Sequence, residues 1–247
     1  KQGIFATFSA FMEMVISEIT MSRLNRANVL SHFSHAGVDD MSDNTCHFGL
    51  NNFFADNFVE EDEHTRLYFP GDVSQMDAVV KSVFNDPGLR FIFSTRSKVP
   101  KILNEKGKEM FGKGYRFEVG KDEIIREGED GWIVTFGDML YRSLHAVEIL
   151  KKEGISIGLM NKPTLNVIDE EMISKVGNSN FVMVVESLNS KTGLGIRYGT
   201  WLLERGFTPK YSHMGTSKPG IGGQKEQIGY QGLSSEDIVE RIKKEMS

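Results

Sequence analysis

The sequence contains a single cysteine, Cys46, among its 247 residues. Internal disulfides are therefore excluded, and a reducing compartment, the cytoplasm, is the expected location. The sequence also lacks any apolar run near the roughly 20 residues of a membrane span, and it has no signal-peptide pattern. Lysine and arginine together number 29 against 34 acidic residues. These basic residues are scattered, so we expect neither nucleic acid nor a membrane as a partner.

The composition is that of an ordinary globular protein, 39% hydrophobic and 26% charged. It provides enough apolar side chains for a sizeable core, and the length suits one large or two moderate domains. The chain starts at Lys1 rather than at methionine and enters a strand-like segment at once. We therefore expect further residues upstream in the natural protein.

Short apolar runs alternate with amphipathic segments in the first part of the chain. Gly3–Phe8 reads as a short buried strand, and apolar residues at helical spacing predict a helix of about four turns over 9–25. Further strands are predicted at 27–33, 65–70 and 90–94. Strands that alternate with helices at this spacing indicate a parallel α/β sheet.

Residues 97–128 interrupt the alternation, because they are rich in Lys, Glu and Gly and show weak apolar periodicity. We interpret this stretch as a linker with an edge hairpin. The alternation resumes at Gly131, which predicts a second α/β unit with a mainly parallel sheet. The resulting expectation is a first domain over 1–105, a linker over 106–120 and a second domain over 121–247.

Residues 31–49 form the densest polar stretch, with three of the six histidines, three aspartates and two glycines. The stretch follows a predicted strand, where parallel sheets bind ligands, so it is a candidate ligand site. The alternative is a solvated loop with turn-forming Asp and Gly. A zinc site made by His32, His35, Cys46 and His47 is a further alternative, although the spacing is not that of a known zinc finger.

Three other stretches each allow two interpretations. Gly193 and Gly195 before a predicted helix can cradle a phosphate or only permit a tight turn. Residues 218–223 are predicted to be a flexible surface loop that can close over a partner. The five acids of residues 56–64 predict a solvated surface.

Several short motifs occur in an order and spacing that resemble transketolases. In the first unit they are Thr7-Phe-Ser-Ala-Phe11, the loop with His35, Asp43 and His47, Pro70-Gly-Asp72, and Thr95-Arg96. In the second unit they are the strand GWIVTFGDML and the strand FVMVVES with the glycines that follow it. The resemblance covers nearly the whole chain. It implies a thiamine-diphosphate-binding pyrimidine domain, truncated at its N-terminus, and a transketolase C-terminal-like domain.

The resemblance implies the C-terminal part or subunit of a thiamine-diphosphate-dependent transferase. Such an enzyme moves a two-carbon ketol unit between sugar phosphates. The Gly-Asp-Gly…Asn pattern that binds the magnesium diphosphate in the family is absent here. The resemblance therefore implies an N-terminal diphosphate-binding domain or subunit as partner, which holds Mg²⁺, within a homodimer or heterotetramer.

The cofactor-binding residues implied by the resemblance lie at the first strand-to-helix turn. Phe8 and Phe11 match the aromatic pair that packs on the aminopyrimidine ring, a contact favoured by stacking. Met14 stands where the family has a further aromatic residue, and its thioether offers a more adaptable contact.

The resemblance also implies the substrate-binding residues. His35 and His47, whose spacing matches the family, would bind the sugar carbonyl and hydroxyls and assist proton transfer as catalytic residues. Asp43 would accept a hydrogen bond from a substrate hydroxyl, and Arg96 would hold the sugar phosphate. No metal ligand is assigned within the chain.

The sequence departs from the family in two places, which keep other functions open. Residues 41–46 replace an acidic Gly-Pro segment, and the first acid, Glu13, follows the strand that a catalytic glutamate precedes in the family. One alternative is the β-subunit-like half of a 2-oxoacid dehydrogenase E1 component or a relative of deoxyxylulose phosphate synthase. Another is a non-catalytic assembly module with a degenerate site.

Overall fold

Two sheets organise the protein in a computed structural model that describes residues 1–40, 42–57 and 64–247. The first sheet has four strands in the order β1-β2-β4-β3, all parallel. Its strands are β1 (Gly3–Phe8), β2 (Val29–Ser34), β3 (Thr65–Tyr68) and β4 (Leu89–Phe93). Because the strands are parallel, their carboxyl ends share one edge of the sheet.

The second sheet has five strands in the order β5-β7-β6-β8-β9. Its strands are β5 (Glu123–Arg126), β6 (Gly131–Thr135), β7 (Ile157–Asn161), β8 (Phe181–Asn189) and β9 (Lys210–Thr216). Only β5, the edge strand next to β7, runs antiparallel to its neighbour. The central strands are buried on both faces and are rich in Val, Ile and Met, as is usual for parallel sheets covered by helices.

Seven α-helices cover the two sheets in the described part of the chain. They are α1 (Ile16–Leu24), α2 (Val73–Val83), α3 (Met139–Lys152), α4 (Glu170–Gly177), α5 (Leu194–Glu204), α6 (Gln227–Gln231) and α7 (Ser235–Met246). Side-chain caps fix several helix starts, since Asp72 accepts from the Gln75 N–H of α2 and Ser234 forms a capping box with Asp237. Among the described residues, none of these helices has the length and apolarity needed to cross a membrane.

Two consecutive, mainly parallel α/β units confirm the predicted fold class, and most predicted strands lie within two residues of the observed ones. We propose that the boundary between the units stays at 106–120. This stretch is not a free linker, because Phe111 and Phe117 are buried, as is Ile102 just before it. Weak periodicity concealed this packing, since an irregular segment buries apolar residues without a regular spacing. A short hairpin does occur in the predicted stretch, where Leu103 and Glu109 form an antiparallel bridge, but the edge strand of the second sheet is β5, which pairs with the distant strand β7.

The expectation that β1 is buried is wrong. It is the edge strand of its sheet, and Ile4 is 71% and Phe5 41% exposed. The predicted helix over 9–25 is divided into a 3₁₀ helix, Ser9–Val15, and α1. Apolar composition alone identifies a strand, but it does not say whether a neighbouring element covers that strand.

The sequence predicts a solvated surface for the acidic stretch over 56–64, of which residues 58–63 lie outside the described residues. Its first acid, Asp56, is not a solvated surface group. Its carboxylate pairs with Arg23 of α1 at 3.8 Å and with Arg197 of α5 at 3.4 Å. Asp56 therefore joins the first unit to the second.

The two units pack through an apolar and polar interface beside β3. The rings of Phe69 and Phe136 lie 5.6 Å apart, and the Phe69 N–H donates to the Pro163 carbonyl at 3.0 Å. Next to them, the Gln75 amide donates to the Glu123 carboxylate at 2.7 Å. These contacts bring loops of the second unit close to the carboxyl ends of the first sheet.

Candidate active site

The candidate site lies where β1, β2 and β4 end together. Phe8 is in register with Ser34, and the Ala36 N–H donates to the Ser94 carbonyl at 3.0 Å. The loop over 35–40 and 42–47, here called the site loop, therefore starts beside the ends of both neighbouring strands. Ligands of parallel α/β sheets bind at this edge.

Asp43 is the centre of the polar cluster. One carboxylate oxygen lies 2.7 Å from Arg96 Nη1 and 3.8 Å from His35 Nε2. The other lies 2.7 Å from His47 Nδ1. Arg96 also donates to the Ser42 carbonyl at 2.9 Å, which fixes the guanidinium over the site loop. The four predicted substrate-side residues are thus brought together.

The groups of the cluster shift the pKa values of Asp43 and His35. Burial alone would raise the pKa of Asp43, but hydrogen bonds from His47 and the Asn44 N–H and the charge of Arg96 outweigh it, so the pKa lies below its usual range. Burial lowers the pKa of His35, and Arg96 and His47 lower it further against the opposing effect of Asp43. The geometry therefore favours a neutral His35 beside an ionised Asp43 at pH 7.

Aromatic rings form the wall next to this cluster. The Phe8 ring centroid lies 4.3 Å from that of His35, 4.9 Å from that of His47 and 5.6 Å from that of Phe11. Phe11 and Met14 both lie on the 3₁₀ helix Ser9–Val15, and Met14 is 76% exposed. A 3₁₀ helix has three residues per turn, so Phe11 and Met14 lie on one side of it.

His35 has a backbone φ of +59°, in the left-handed region that non-glycine residues rarely occupy. Its backbone carbonyl accepts from the Gly49 N–H at 3.1 Å, and its Nδ1 lies 3.0 Å from the Ser34 hydroxyl. Such a backbone persists only where surrounding contacts hold it, and it is common at functional sites.

The space inside the cluster is small. A cavity of about 10 Å³ is lined by residues that include His35, Asp43, His47 and Arg96. A volume of this size holds about one water molecule. A sugar phosphate therefore does not fit inside this cavity with the side chains as they lie here.

Two alternative sites are not formed. No three His, Cys, Asp or Glu side chains of the described residues are arranged to hold a metal ion, so the zinc site of the sequence analysis is not assembled. The helix start at Gly193 does not cradle a phosphate, because the buried Glu186 carboxylate already accepts from the Leu194 and Gly195 N–H groups at 2.9 and 2.8 Å.

Sequence reasoning missed the residues of the second unit that contact the site loop. Arg142, from α3, reaches Asp40, and the 218–223 loop contacts the stretch around Asp43. The 218–223 loop was predicted to be a flexible surface loop, but its Lys218 N–H donates to the Gln231 side chain at 2.9 Å. No local pattern marks these contacts, because the partners are about one hundred or more residues apart in the chain.

These features define an α/β protein of two mainly parallel sheets, with a cluster of polar and aromatic side chains at the strand ends of the first sheet. The family model described as "Transketolase, C-terminal domain" matches residues 120–238. The second unit is thus identified as a transketolase C-terminal domain.

Known relatives agree with this assignment. A protein of Methanocaldococcus jannaschii, provisionally named a transketolase C-terminal section, is 36% identical over 132 residues, which are 53% of this chain and 41% of the relative. The transketolase of Pongo abelii is 23% identical over 244 residues, 96% of this chain and 37% of that enzyme. The chain thus spans about two fifths of the length of these curated relatives. Some 1-deoxy-D-xylulose-5-phosphate synthases also match, including that of Parabacteroides distasonis at 28% identity over 51% of this chain and 21% of the enzyme.

A solved structure described as "Split gene transketolase, inactive beta4 tetramer" superposes with a TM-score of 0.80 and 23% identity. The match covers 98% of this chain and 75% of that one. At this identity the likeness concerns the fold, and it confirms that both units follow the architecture of transketolases.

Proposed function

We propose that this chain is the C-terminal part or subunit of a transketolase-like enzyme that transfers a two-carbon ketol unit between sugar phosphates. The observation that carries the proposal is the cluster of His35, His47 and Arg96 around Asp43, beside the Phe8 ring. Carboxylate, imidazole and guanidinium groups together match the hydroxyls, carbonyl and phosphate of a sugar phosphate.

Thiamine diphosphate is the proposed cofactor, and the residues present fit its pyrimidine end. Phe8 and Phe11 are partly exposed rings at the edge of the cluster, and a flat heterocycle gains from packing on such rings. Met14 extends this surface by one turn. The bound cofactor would supply the nucleophile and the electron sink for breaking a carbon–carbon bond next to a carbonyl. We assign the diphosphate and Mg²⁺ to a partner domain or subunit.

The imidazoles have separate proposed roles. In the neutral form of His47, an Nδ1 proton donated to Asp43 would leave Nε2 able to accept a proton from a sugar hydroxyl. His35, kept neutral by burial, would donate to or accept from the sugar carbonyl oxygen or a hydroxyl. Each role uses an atom that lies within the polar cluster and next to the proposed pyrimidine surface.

Arg96 and Asp43 have linked proposed roles. When a sugar phosphate enters, Arg96 would exchange the Asp43 carboxylate for the phosphate, since planar guanidinium groups bind both in the same bidentate manner. Asp43 would then accept from a sugar hydroxyl. After the exchange Arg96 would be paired with the phosphate, and Asp43 would accept hydrogen bonds from His47 and the sugar hydroxyl, so neither group would be left without a partner in a partly buried site.

The exposed apolar residues beside the site support a partner protein. Ile4 and Phe5 are exposed apolar residues of the edge strand β1, which ends at Phe8, and Met14 is an exposed apolar residue of the 3₁₀ helix that contains Phe11. Apolar surface of this kind is usual at protein interfaces. We propose that a diphosphate-binding domain or subunit covers it in a homodimer or heterotetramer located in the cytoplasm.

A second candidate function is that of deoxyxylulose phosphate synthase or the β-subunit-like half of a 2-oxoacid dehydrogenase E1 component. The match to 1-deoxy-D-xylulose-5-phosphate synthases favours it. These enzymes would use a 2-oxoacid rather than a ketose as donor. A donor of that kind has one carboxylate and no chain of hydroxyls, so it would not require both histidines and Asp43.

The test is calorimetric binding of thiamine diphosphate with magnesium to this chain alone and to this chain mixed with a diphosphate-binding subunit. We expect tight binding only in the mixture, and weaker binding by Phe8→Ala or Phe11→Ala. Phe84→Ala is the matched control, because Phe84 is an exposed phenylalanine at the opposite end of the first unit. Absence of binding in the mixture would contradict the proposal, and turnover of a 2-oxoacid but not of a ketose phosphate would favour the second function.

A further inference from the structure

The first half of the site loop rests directly on the second unit. Gly37 packs so closely on Ser187 of β8 that an added Cβ would lie 2.2 Å from the Ser187 hydroxyl. The adjacent Val38 N–H donates to the Ser187 carbonyl at 3.3 Å. The backbone between His35 and Asp40 is therefore shaped by β8 as well as by its own sheet.

Arg142 of α3 ties the loop to the interior of the second unit. Its guanidinium lies 3.0 Å from the Asp40 carboxylate through Nη2 and 3.2 Å from the Asp138 carboxylate through Nη1. Asp138 is buried and also accepts from the Ser187 hydroxyl at 2.7 Å. The second oxygen of Asp40 accepts from the Ile228 N–H of α6 at 3.0 Å. One side chain of the loop thus has two partners on the second unit.

The second half of the site loop is held by the 218–223 loop. The Gly223 N–H donates to the backbone carbonyl of Asp43 at 2.7 Å. Phe48, just after the loop, packs on Gly220, where an added Cβ would lie 2.5 Å from the ring. Asp43 is therefore positioned by the second unit through its backbone, while its side chain pairs with Arg96 and His47.

We infer that Arg142, with Asp138 and Asp40, is a positioning device by which the second unit sets the geometry of the histidine and aspartate cluster. The effect on catalysis rests on the proposed function, whereas the contacts of Arg142 with Asp138 and Asp40 are part of the structure. Arg142 touches no group of the cluster. It acts through Asp40, three residues before Asp43 in the chain, and would be a positioning residue for sugar-phosphate binding.

Ordinary packing between the two units would make the same contacts but would not govern the histidines. Positioning and ordinary packing predict different effects on the cluster when the contact between Arg142 and Asp40 is removed. If Arg142 positions the loop, its loss moves the surroundings of His35 and His47. If it only stabilises the interface, the rings keep their environment and only the unfolding free energy changes.

The experiment compares Arg142→Gln and Asp40→Ala with Arg241→Gln as a matched control. Arg241 also forms an ion pair in the second unit, with Glu245 at 2.9 Å, but on α7. The first measurement uses this chain alone and records the side-chain NMR signals of His35 and His47 across a pH titration. We expect both signals and their titration midpoints to move in Arg142→Gln and Asp40→Ala and to stay unchanged in Arg241→Gln.

A second measurement uses the complex with a diphosphate-binding subunit. We expect the kcat/KM for a ketose phosphate donor to fall about tenfold in Asp40→Ala, which removes both the ion pair with Arg142 and the hydrogen bond from the Ile228 N–H. Thiamine diphosphate affinity should change less than kcat/KM, because the Asp40 side chain contacts Arg142 and Ile228 rather than the proposed pyrimidine surface of Phe8 and Phe11. Arg142→Lys, which keeps the charge but not the two-sided geometry, should lose less kcat/KM than Arg142→Gln.

Unchanged histidine signals in Asp40→Ala would overturn the inference. Arg142→Gln can fail to fold because it leaves the buried Asp138 unpaired, and Asp40→Ala then decides, since the Asp40 side chain is 45% exposed. If the histidine signals move in Asp40→Ala but the wild-type complex does not transfer a ketol unit, the proposed function is refuted and the positioning role of Arg142 stands. Normal transfer with unmoved signals would refute the device alone.

Discussion

Replacing Gly37 by alanine should destabilise the protein far more than the same change at a comparable glycine. Gly37 has φ +79°, and its added Cβ would lie 2.2 Å from the Ser187 hydroxyl and 2.8 Å from the Ser187 Cβ. Gly107 has φ +71°, but an added Cβ there meets nothing within 4 Å. Both variants therefore have the same backbone strain, and only Gly37→Ala has the steric clash.

The magnitudes follow from these two terms. A left-handed backbone costs an alanine about 1 kcal/mol. Overpacking against a buried neighbour adds about 1–3 kcal/mol. Gly107→Ala should thus lower the free energy of unfolding by about 1 kcal/mol, and Gly37→Ala by about 2–4 kcal/mol. For a chain of this length these values correspond to about 3 °C and about 5–15 °C in Tm.

Thermal unfolding followed by circular dichroism measures both variants, and tryptophan fluorescence reports on the second unit, which contains Trp132 and Trp201. Gly37→Ala should also move the NMR signals of His35, because the strain enters the site loop two residues away. A Tm of Gly37→Ala equal to that of Gly107→Ala would refute the close contact between the loop and the second unit.

Three further predictions concern charged groups. Asp43→Asn removes the opposing charge beside His35 and should lower the pKa of His35 further, and an upward shift in its NMR titration would contradict the cluster. Lys162→Met leaves Asp122, which lies 3.1 Å from Lys162 and is equally buried, without its cation, and should lower the unfolding free energy by about 3–5 kcal/mol. The double variant Lys162→Met with Asp122→Leu should recover much of this loss, because it removes both buried charges. Burial raises the pKa of Glu186 from 4.5 to about 7, so the folded state holds this proton more tightly and stability should fall by about 3 kcal/mol as pH rises through that range. Urea unfolding at about pH 5 and about pH 8 checks this, and Glu186→Gln should show a weaker dependence; an equal dependence would refute it.

The fold was largely predictable because its strands are short apolar runs between turn signals. The site loop was predictable for a related reason, since Asp43 and His47 follow β2 and lie at the edge where parallel sheets bind ligands. Arg96 follows β4, the neighbour of β2, so two separate strand ends pointed to one place. The predicted residues converge because the sheet topology brings their strands together.

The contribution of the second unit to the site was not predictable from sequence. Arg142 lies near the start of an amphipathic helix, where an arginine is usually a solvated surface residue, and its partner Asp40 is 102 residues away. The exposure of β1 was missed for a comparable reason. Burial is a property of neighbours, and the amino-acid pattern of Gly3–Phe8 does not reveal which elements surround it.

The central claim is that the cluster around Asp43 acts on sugar phosphates. The most direct measurement is two-carbon transfer from a ketose phosphate to an aldose phosphate by the complex of this chain with a diphosphate-binding subunit. We predict transfer by the wild-type complex and a loss of about 100-fold or more in kcat/KM on His47→Ala, as for removal of a general acid–base group, with thiamine diphosphate binding retained. Transfer at the wild-type rate by His47→Ala and by Asp43→Asn would contradict the account.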